Sequence, residues 1–306
     1  MRPGRGGAMA LENDEPLMEP VLVDGCLILC LGDETLELAP FAKYERRVFR
    51  KVDFSGVSLM SCTFTDVIFE DCRISAAEFS HASFARVTFT DCDISDCSFL
   101  WANLDHTSFL DCSAHESRFT YAVLNECALD RCDMSGVKLD LTEFKKCRIR
   151  HCSIDRAALI RTKLLDCILA GVRAEKEHIR MFRVWAEETT FVDCRLTEAL
   201  VAFCEFRDVT LLRSNFWKAA IKGCQFHNSA LHHTGFNEAR IYYSTLISTG
   251  VSACRFRLVN AEHTLFENCR LAMNLFEGAD LRQTVFYDSE LIHNFYGEDT
   301  SHPTKF

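Results

Sequence analysis

A large apolar residue returns at every fifth position of this chain. Phe54, Leu59, Phe64, Phe69, Ile74 and Phe79 open a series that reaches Leu169, with one small residue, Ala114, in 24 positions. A second series runs from Phe191 through Leu196, Phe206, Phe216, Phe226 and Phe236 to Leu291, 21 positions in all. No α-helix has a period of five, and neither does a flat strand. Such spacing needs a chain that turns a corner at each repeat. The residue two places before each large one is small: Val52, Val57, Cys62, Val67, Cys72, Ala77 and Ala82 begin that series, and Asn274 is an exception in the second. Each repeat therefore points one large and one small side chain inward, and three outward.

The register accounts for most of the cysteines. Fifteen of the 17 fall two places before a large residue, and only Cys26 and Cys30 precede the repeat. They read as small buried hydrophobes, and a thiol in apolar surroundings is inert. No Cys-x-x-Cys pair has a zinc-like partner. Unpaired thiols in a chain without a visible secretory signal predict a reducing, cytoplasmic home.

Ala102-Asn103-Leu104-Asp105-His106 and Ala279-Asp280-Leu281-Arg282-Gln283 resemble the Ala-(Asp/Asn)-Leu-x-x consensus of the pentapeptide-repeat family. Most other repeats have a looser Cys/Ser/Thr-x-Phe form. The resemblance covers residues 52–293 and implies an all-β fold, a right-handed quadrilateral β-helix with four repeats per coil. That makes about eleven coils, and at strand spacing a rod of roughly 50–60 Å. Such a rod needs caps. Residues 20–51 are expected to cap the first coil, with Val21-Leu22-Val23 and Leu27-Ile28-Leu29 forming a short hairpin. Residues 1–19 and 294–306 are expected to be a disordered tail and a mobile tail.

From Leu169 to Phe191 the register breaks. Residues 170–188 are expected to form a helical insertion between two blocks, 52–169 and 189–293. Ile179, Phe182, Trp185 and Ala186 are spaced as a helical stripe among good helix formers.

Residues 20 apart should stack in columns. Trp101, Tyr121 and Leu141 form an outward column with Leu100 beside it, and Asp71, Asp91 and Asp111 form an acidic one. Trp217 and Tyr242 also point outward, as do Phe203 and Tyr243. Outward aromatic ladders have no core role, so these residues, with Phe182 and Trp185 of the insertion, are the candidate partner-binding surface.

Net charge is −10, from 34 basic and 44 acidic residues, which argues against a general phosphate-binding footprint. None of the histidines takes an inward position. Phosphate-loop, dinucleotide, nucleophile-elbow and zinc-protease motifs are absent. A filled β-helix offers no pocket. These readings predict a non-enzyme without cofactor or metal, binding neither nucleic acid nor membrane, as a monomer or dimer. An acidic rod suits a basic protein partner. The expected function is an immunity-type protein that neutralises a toxin such as a nuclease. The alternatives are a DNA mimic that protects gyrase, as the family resemblance implies, and a secreted effector scaffold.

Overall fold

The computed structural model describes residues 21–23, 26–31, 34–175 and 178–301, with side chains from residue 38 onward. The expected tail at 1–19 and the last five residues lie outside the described residues.

The five-residue register produces a quadrilateral parallel β-helix. Two 13-stranded parallel sheets run its whole length, and shorter ladders and isolated bridges close the other two faces. Partners are 20 residues apart: Leu104 pairs with Phe84 and Leu124, and Phe109 with Phe89 and Leu129. No helix among the described residues is long and apolar enough to cross a membrane.

The core is one column of side chains. Phe69, Phe89 and Phe109 stack at 4.7 and 4.9 Å, and Phe79, Phe99 and Phe119 at 5.1 and 4.6 Å. Small inward residues can be polar because the coil below supplies an acceptor. Cys97 Sγ donates to the Ile74 carbonyl at 3.0 Å, Thr142 Oγ1 to that of Phe119 at 2.7 Å, and Asn274 Nδ2 to that of Val251 at 3.0 Å. Buried donors need such partners, which is why Cys, Ser and Thr interchange at this position. All fifteen described cysteines are unpaired and buried. Burial pushes Cys97 and Cys254 up to about 12 and Cys194 up to about 11.

Four expectations change. First, the insertion is not helical. Residues Arg173–Ala174, Arg180–Phe182 and Trp185–Glu187 are strands, and Met181 pairs with Leu159 and Val201. Ala174, Met181 and Ala186 take the large-residue positions, and Ile179 and Val184 the small ones, all buried. The register was hidden because two of its three centres are alanine. Only the step from Ala174 to Met181 is longer than five, which places two extra residues at one corner. Pairing on both sides outweighs weak local helix propensity.

Second, the 13-stranded ladders pass straight through this corner, so the coils of 52–169 and 189–293 are continuous. Third, the coils start before residue 52. Tyr44 and Phe49 are inward members of the same series, and Tyr44 stacks on Phe64 at 5.2 Å. Ahead of them lies an antiparallel sheet of Val21–Val23, Cys26–Leu31 and Glu34–Leu38, its first two strands forming the expected hairpin. Fourth, residues 294–301 continue the coil: Tyr296 stacks on Phe276 at 5.4 Å, and Thr300 is buried.

Candidate functional site

Each coil has four corners, and the second residue after each large one stands there with a positive φ. Trp101 (+60°), Tyr121 (+61°), Leu141 (+58°), Phe203 (+55°) and Tyr243 (+52°) all occupy this left-handed region. For an L-residue it costs roughly 1 kcal/mol. Ladder bonds enforce it: the corner N–H of Trp101 donates to the Thr120 carbonyl at 3.1 Å, and that of Tyr121 to Asp140 at 3.0 Å.

One corner gathers most of the exposed aromatics; Tyr287 and Phe295 are exposed on other faces of the last coils. Its successive rungs are Phe41, Ser61, His81, Trp101, Tyr121, Leu141, Arg161, Arg183, Phe203, Gly223, Tyr243 and His263, linked by corner N–H bonds to the next coil. Trp101 and Tyr121 stack at 4.0 Å with planes 1° apart, and Tyr243 stacks on His263 at 4.8 Å. Trp101 is 51% exposed, Phe203 51% and Tyr243 58%, more than any core role permits. Leu100, Phe182 and Tyr242 precede the corner residues of their coils; Phe182 meets Phe203 edge-on at 5.7 Å and Tyr242 meets Tyr243 at 6.3 Å. Gly223 is left-handed at φ +61°, and a Cβ there would lie 2.9 Å from the Phe203 ring, which occupies that space. Gly223→Val is therefore expected to displace Phe203 and cost about 1 kcal/mol or more, because a β-branched residue is strained in the left-handed region, read as a lower Tm.

The other proposed residues lie elsewhere. Trp185 stands on the next face, half-buried, with Nε1 donating to Glu187 at 3.2 Å and Arg207 4.8 Å over its ring. Trp217 belongs to a different face; its Nε1 donates to Glu238 at 3.1 Å and Lys218 lies 4.1 Å over the ring. Asp71, Asp91 and Asp111 stack on the corner half a coil away, diagonally opposite the aromatics. Asp71 and Asp91 are exposed. Asp111 is held by Arg131 at 2.6 and 2.7 Å, and Glu70, beside Asp71, by Arg50 at 2.7 Å.

The structure adds residues that a spacing of 20 misses. Above the two-residue insertion the spacing across it is 22, so Phe203 and Tyr243 fall in line with Trp101 only after that correction. The same shift brings Asp166, Glu188 and Asp208 into one acidic column. Counting from Phe191 alone aligned each block internally but not with the other.

Guanidinium partners hold Asp66, Asp111 and Asp193 below the usual carboxylate range, chiefly through hydrogen bonds from Arg86, Arg131 and Arg213. A depressed folded-state value stabilises above the unfolded value and is lost as pH falls through the folded one. Tm is therefore expected to hold from pH 7 to about 5 and fall below about 4. Asp111→Asn should flatten that fall.

Between the rings of Phe191, Phe206 and Phe226 the core leaves a void of only about 10 Å³, the space of a single water. A shallow surface depression of about 410 Å³ lies beside the insertion, between His178, Glu198, Leu200 and Arg240. His178 Nδ1 and Glu198 are 3.5 Å apart. Among the described residues no three potential ligands cluster to hold a metal ion.

A closed stack of parallel coils with outward aromatics defines a β-solenoid whose offered chemistry is on its corners. The sequence profile described as Pentapeptide repeat region matches residues 42–119 and 62–139, so this part of the chain is a pentapeptide-repeat region, and the same five-residue register continues to Leu291. No curated protein matches its sequence. Among solved structures it is similar to HetL, a pentapeptide repeat protein involved in heterocyst differentiation regulation from the cyanobacterium Nostoc sp. strain PCC 7120. That likeness has 13% identity, 82% of this chain and 87% of that chain covered, and a TM-score of 0.43. It is also similar to QnrB1, a plasmid-mediated fluoroquinolone resistance protein (14% identity, 82% and 89% covered, TM-score 0.25). A thylakoid-lumen pentapeptide repeat protein of Arabidopsis thaliana matches over 31% of this chain and 66% of its own, at 18% identity and a TM-score of 0.30.

Proposed function

We propose that this chain is a non-catalytic scaffold that binds a protein along its aromatic corner, and that it acts as an immunity-type protein, sequestering a toxin such as a nuclease in the cytoplasm. The observation that carries the scaffold reading is the run of exposed aromatics along one corner, where Trp101, Tyr121, Phe203 and Tyr243 recur over successive coils, whereas the exposed rings elsewhere, Tyr287 and Phe295, stand singly on other faces near the last coil. The corner through Asp66, Arg86, His106 and Glu126 holds polar residues throughout. Trp101, Tyr121, Phe203 and Tyr243 fill no core space there and leave large apolar edges in water. Rigid aromatics on an ordered frame are the usual anchors of a protein interface.

The immunity role is tested by co-expression. The product of a neighbouring gene should arrest growth alone, and this chain should restore growth and co-purify with it one to one. Arrest that persists despite soluble expression of both would remove the role. The acidic columns Asp71–Asp91–Asp111 and Asp166–Glu188–Asp208 favour a second reading, a DNA mimic that protects gyrase. It requires inhibition of supercoiling or drug protection at micromolar protein, and neither effect would end it.

A further inference from the structure

Beside the aromatic corner the sign of the charge reverses. Over eight successive coils, from Ser98 to Tyr243, the corner and the face leading into it present Arg118, Lys138, Arg161, Arg180, Arg183, Lys222 and Arg240. The one acidic residue on that strip is Asp140. All seven cations are exposed, and none forms an ion pair with a described carboxylate, whereas Arg50, Arg86, Arg131, Arg195 and Arg213 on other faces all do. Arg183 and Lys222 instead lie over Phe182 and Tyr242, at 5.3 and 5.8 Å. The strip carries +6 in a chain of net charge −10, so the remainder carries −16.

Like charges on adjacent rungs repel. Arg161 and Arg183 are neighbours in one column and Arg118 and Lys138 in another; Asp140, on the rung of Lys138, is the one carboxylate that acts on them, and it lies beyond ion-pair distance. Resting on the scaffold reading above, we propose that the partner surface docked here is an acidic protein segment whose carboxylates are interleaved with apolar side chains. The cations alternate with Leu100, Ile160, Phe182 and Leu200, so a bare polyanion would cover apolar surface without matching it. A single-stranded nucleic acid needs free ring faces for its bases, but Trp101 and Tyr121 present theirs to each other at 4.0 Å. The negative remainder of the rod repels any phosphate chain that overruns the strip. Charge pairing across an exposed strip should govern the association rate and its salt dependence.

The probe is a labelled synthetic peptide of Glu-Glu-Leu-Glu-Phe repeats, followed by fluorescence anisotropy against the full chain. Its lysine counterpart and a dT20 strand are the comparisons. The acidic peptide should bind, weaken with salt, and lose tenfold or more affinity in Arg118→Gln/Arg180→Gln/Arg240→Gln. Arg148→Gln/Arg173→Gln, on other faces, should leave binding unchanged. Arg161→Glu should lower affinity while holding or raising Tm, because it gives Arg183 a partner; that separates binding from folding. Equal binding of the lysine peptide, tighter binding of dT20, or an unaffected triple variant would overturn the proposal. Trp101→Ala/Tyr121→Ala keeps every cation and so tests the aromatic-corner reading separately. If the ring variant binds normally and the cation variant does not, the scaffold's contact shifts to the face and the polarity stands; the converse retains the corner and removes the polarity.

Discussion

Phe99→Ala is expected to lower the free energy of unfolding by about 3–5 kcal/mol, the range for deleting a buried aromatic ring. Phe99 is fully buried and stacks on Phe79 at 5.1 Å and Phe119 at 4.6 Å. Its removal opens two stacking contacts at once. The coils above and below cannot close on the gap, because 2.7–2.8 Å ladder bonds fix their spacing: Phe79 N–H to Ser98, Phe99 N–H to Arg118 and Phe119 N–H to Lys138. In a solenoid each coil is stabilised only by its neighbours, so the damage has an identifiable place. Urea unfolding should broaden or split into two transitions, with the coils near residues 79–119 exchanging amide protons first. Phe203→Ala removes the same ring from an exposed corner and should change stability by no more than about 0.5 kcal/mol. Equal losses in the two variants would show that the five-residue register does not decide which rings form the core.

That register was legible because its two inward positions carry unambiguous chemistry. Phe54, Phe64 and Phe69 at one and Cys62, Val67 and Cys72 at the other give the same message at every step. It failed where the chemistry became ambiguous. Ala174 and Ala186 are core centres by position but small by nature, and Ile179, Phe182 and Trp185 imitate a helical stripe. Tyr44 and Phe49 extend the series backward but sit among Lys43, Arg46 and Arg47, a charged setting that masks them. The candidate site was legible within one block: Trp101, Tyr121 and Leu141 needed only a spacing of 20. Its extension to Phe203 and Tyr243 depends on the two extra residues at the corner after Glu175, and only strand pairing shows where those residues go. The polarity of the strip was hidden for a different reason. Net charge sums over all four faces, and the unpaired state of Arg118 or Arg180 depends on what stands on the rungs above and below. The expectation of a basic partner for an acidic rod came from that sum, and at the aromatic corner the local sign is the opposite.

Trp101→Ala/Tyr121→Ala is expected to weaken partner binding by about 2–4 kcal/mol, roughly thirty- to several-hundredfold in Kd, as for paired aromatic anchors at an interface centre. The two rings stack at 4.0 Å and hold each other upright, so either single substitution should lose most of this effect and the losses should not add. Folding should be nearly unaffected. Both residues are exposed, their backbone N–H bonds to Thr120 and Asp140 do not involve the side chains, and alanine tolerates the left-handed corner as well as an aromatic does. Trp217→Ala, on another face, is the control of equal size, and it should leave Kd unchanged to within about twofold. Titration calorimetry with the captured partner reads the four variants against the unsubstituted chain, and circular dichroism checks the fold. Retained affinity in the double variant beside a loss at Trp217 would move the interface across the Lys218 corner to the adjoining face. In that geometry Lys218 and Glu238, which flank Trp217, would set the chemistry of recognition in place of the seven unpaired cations.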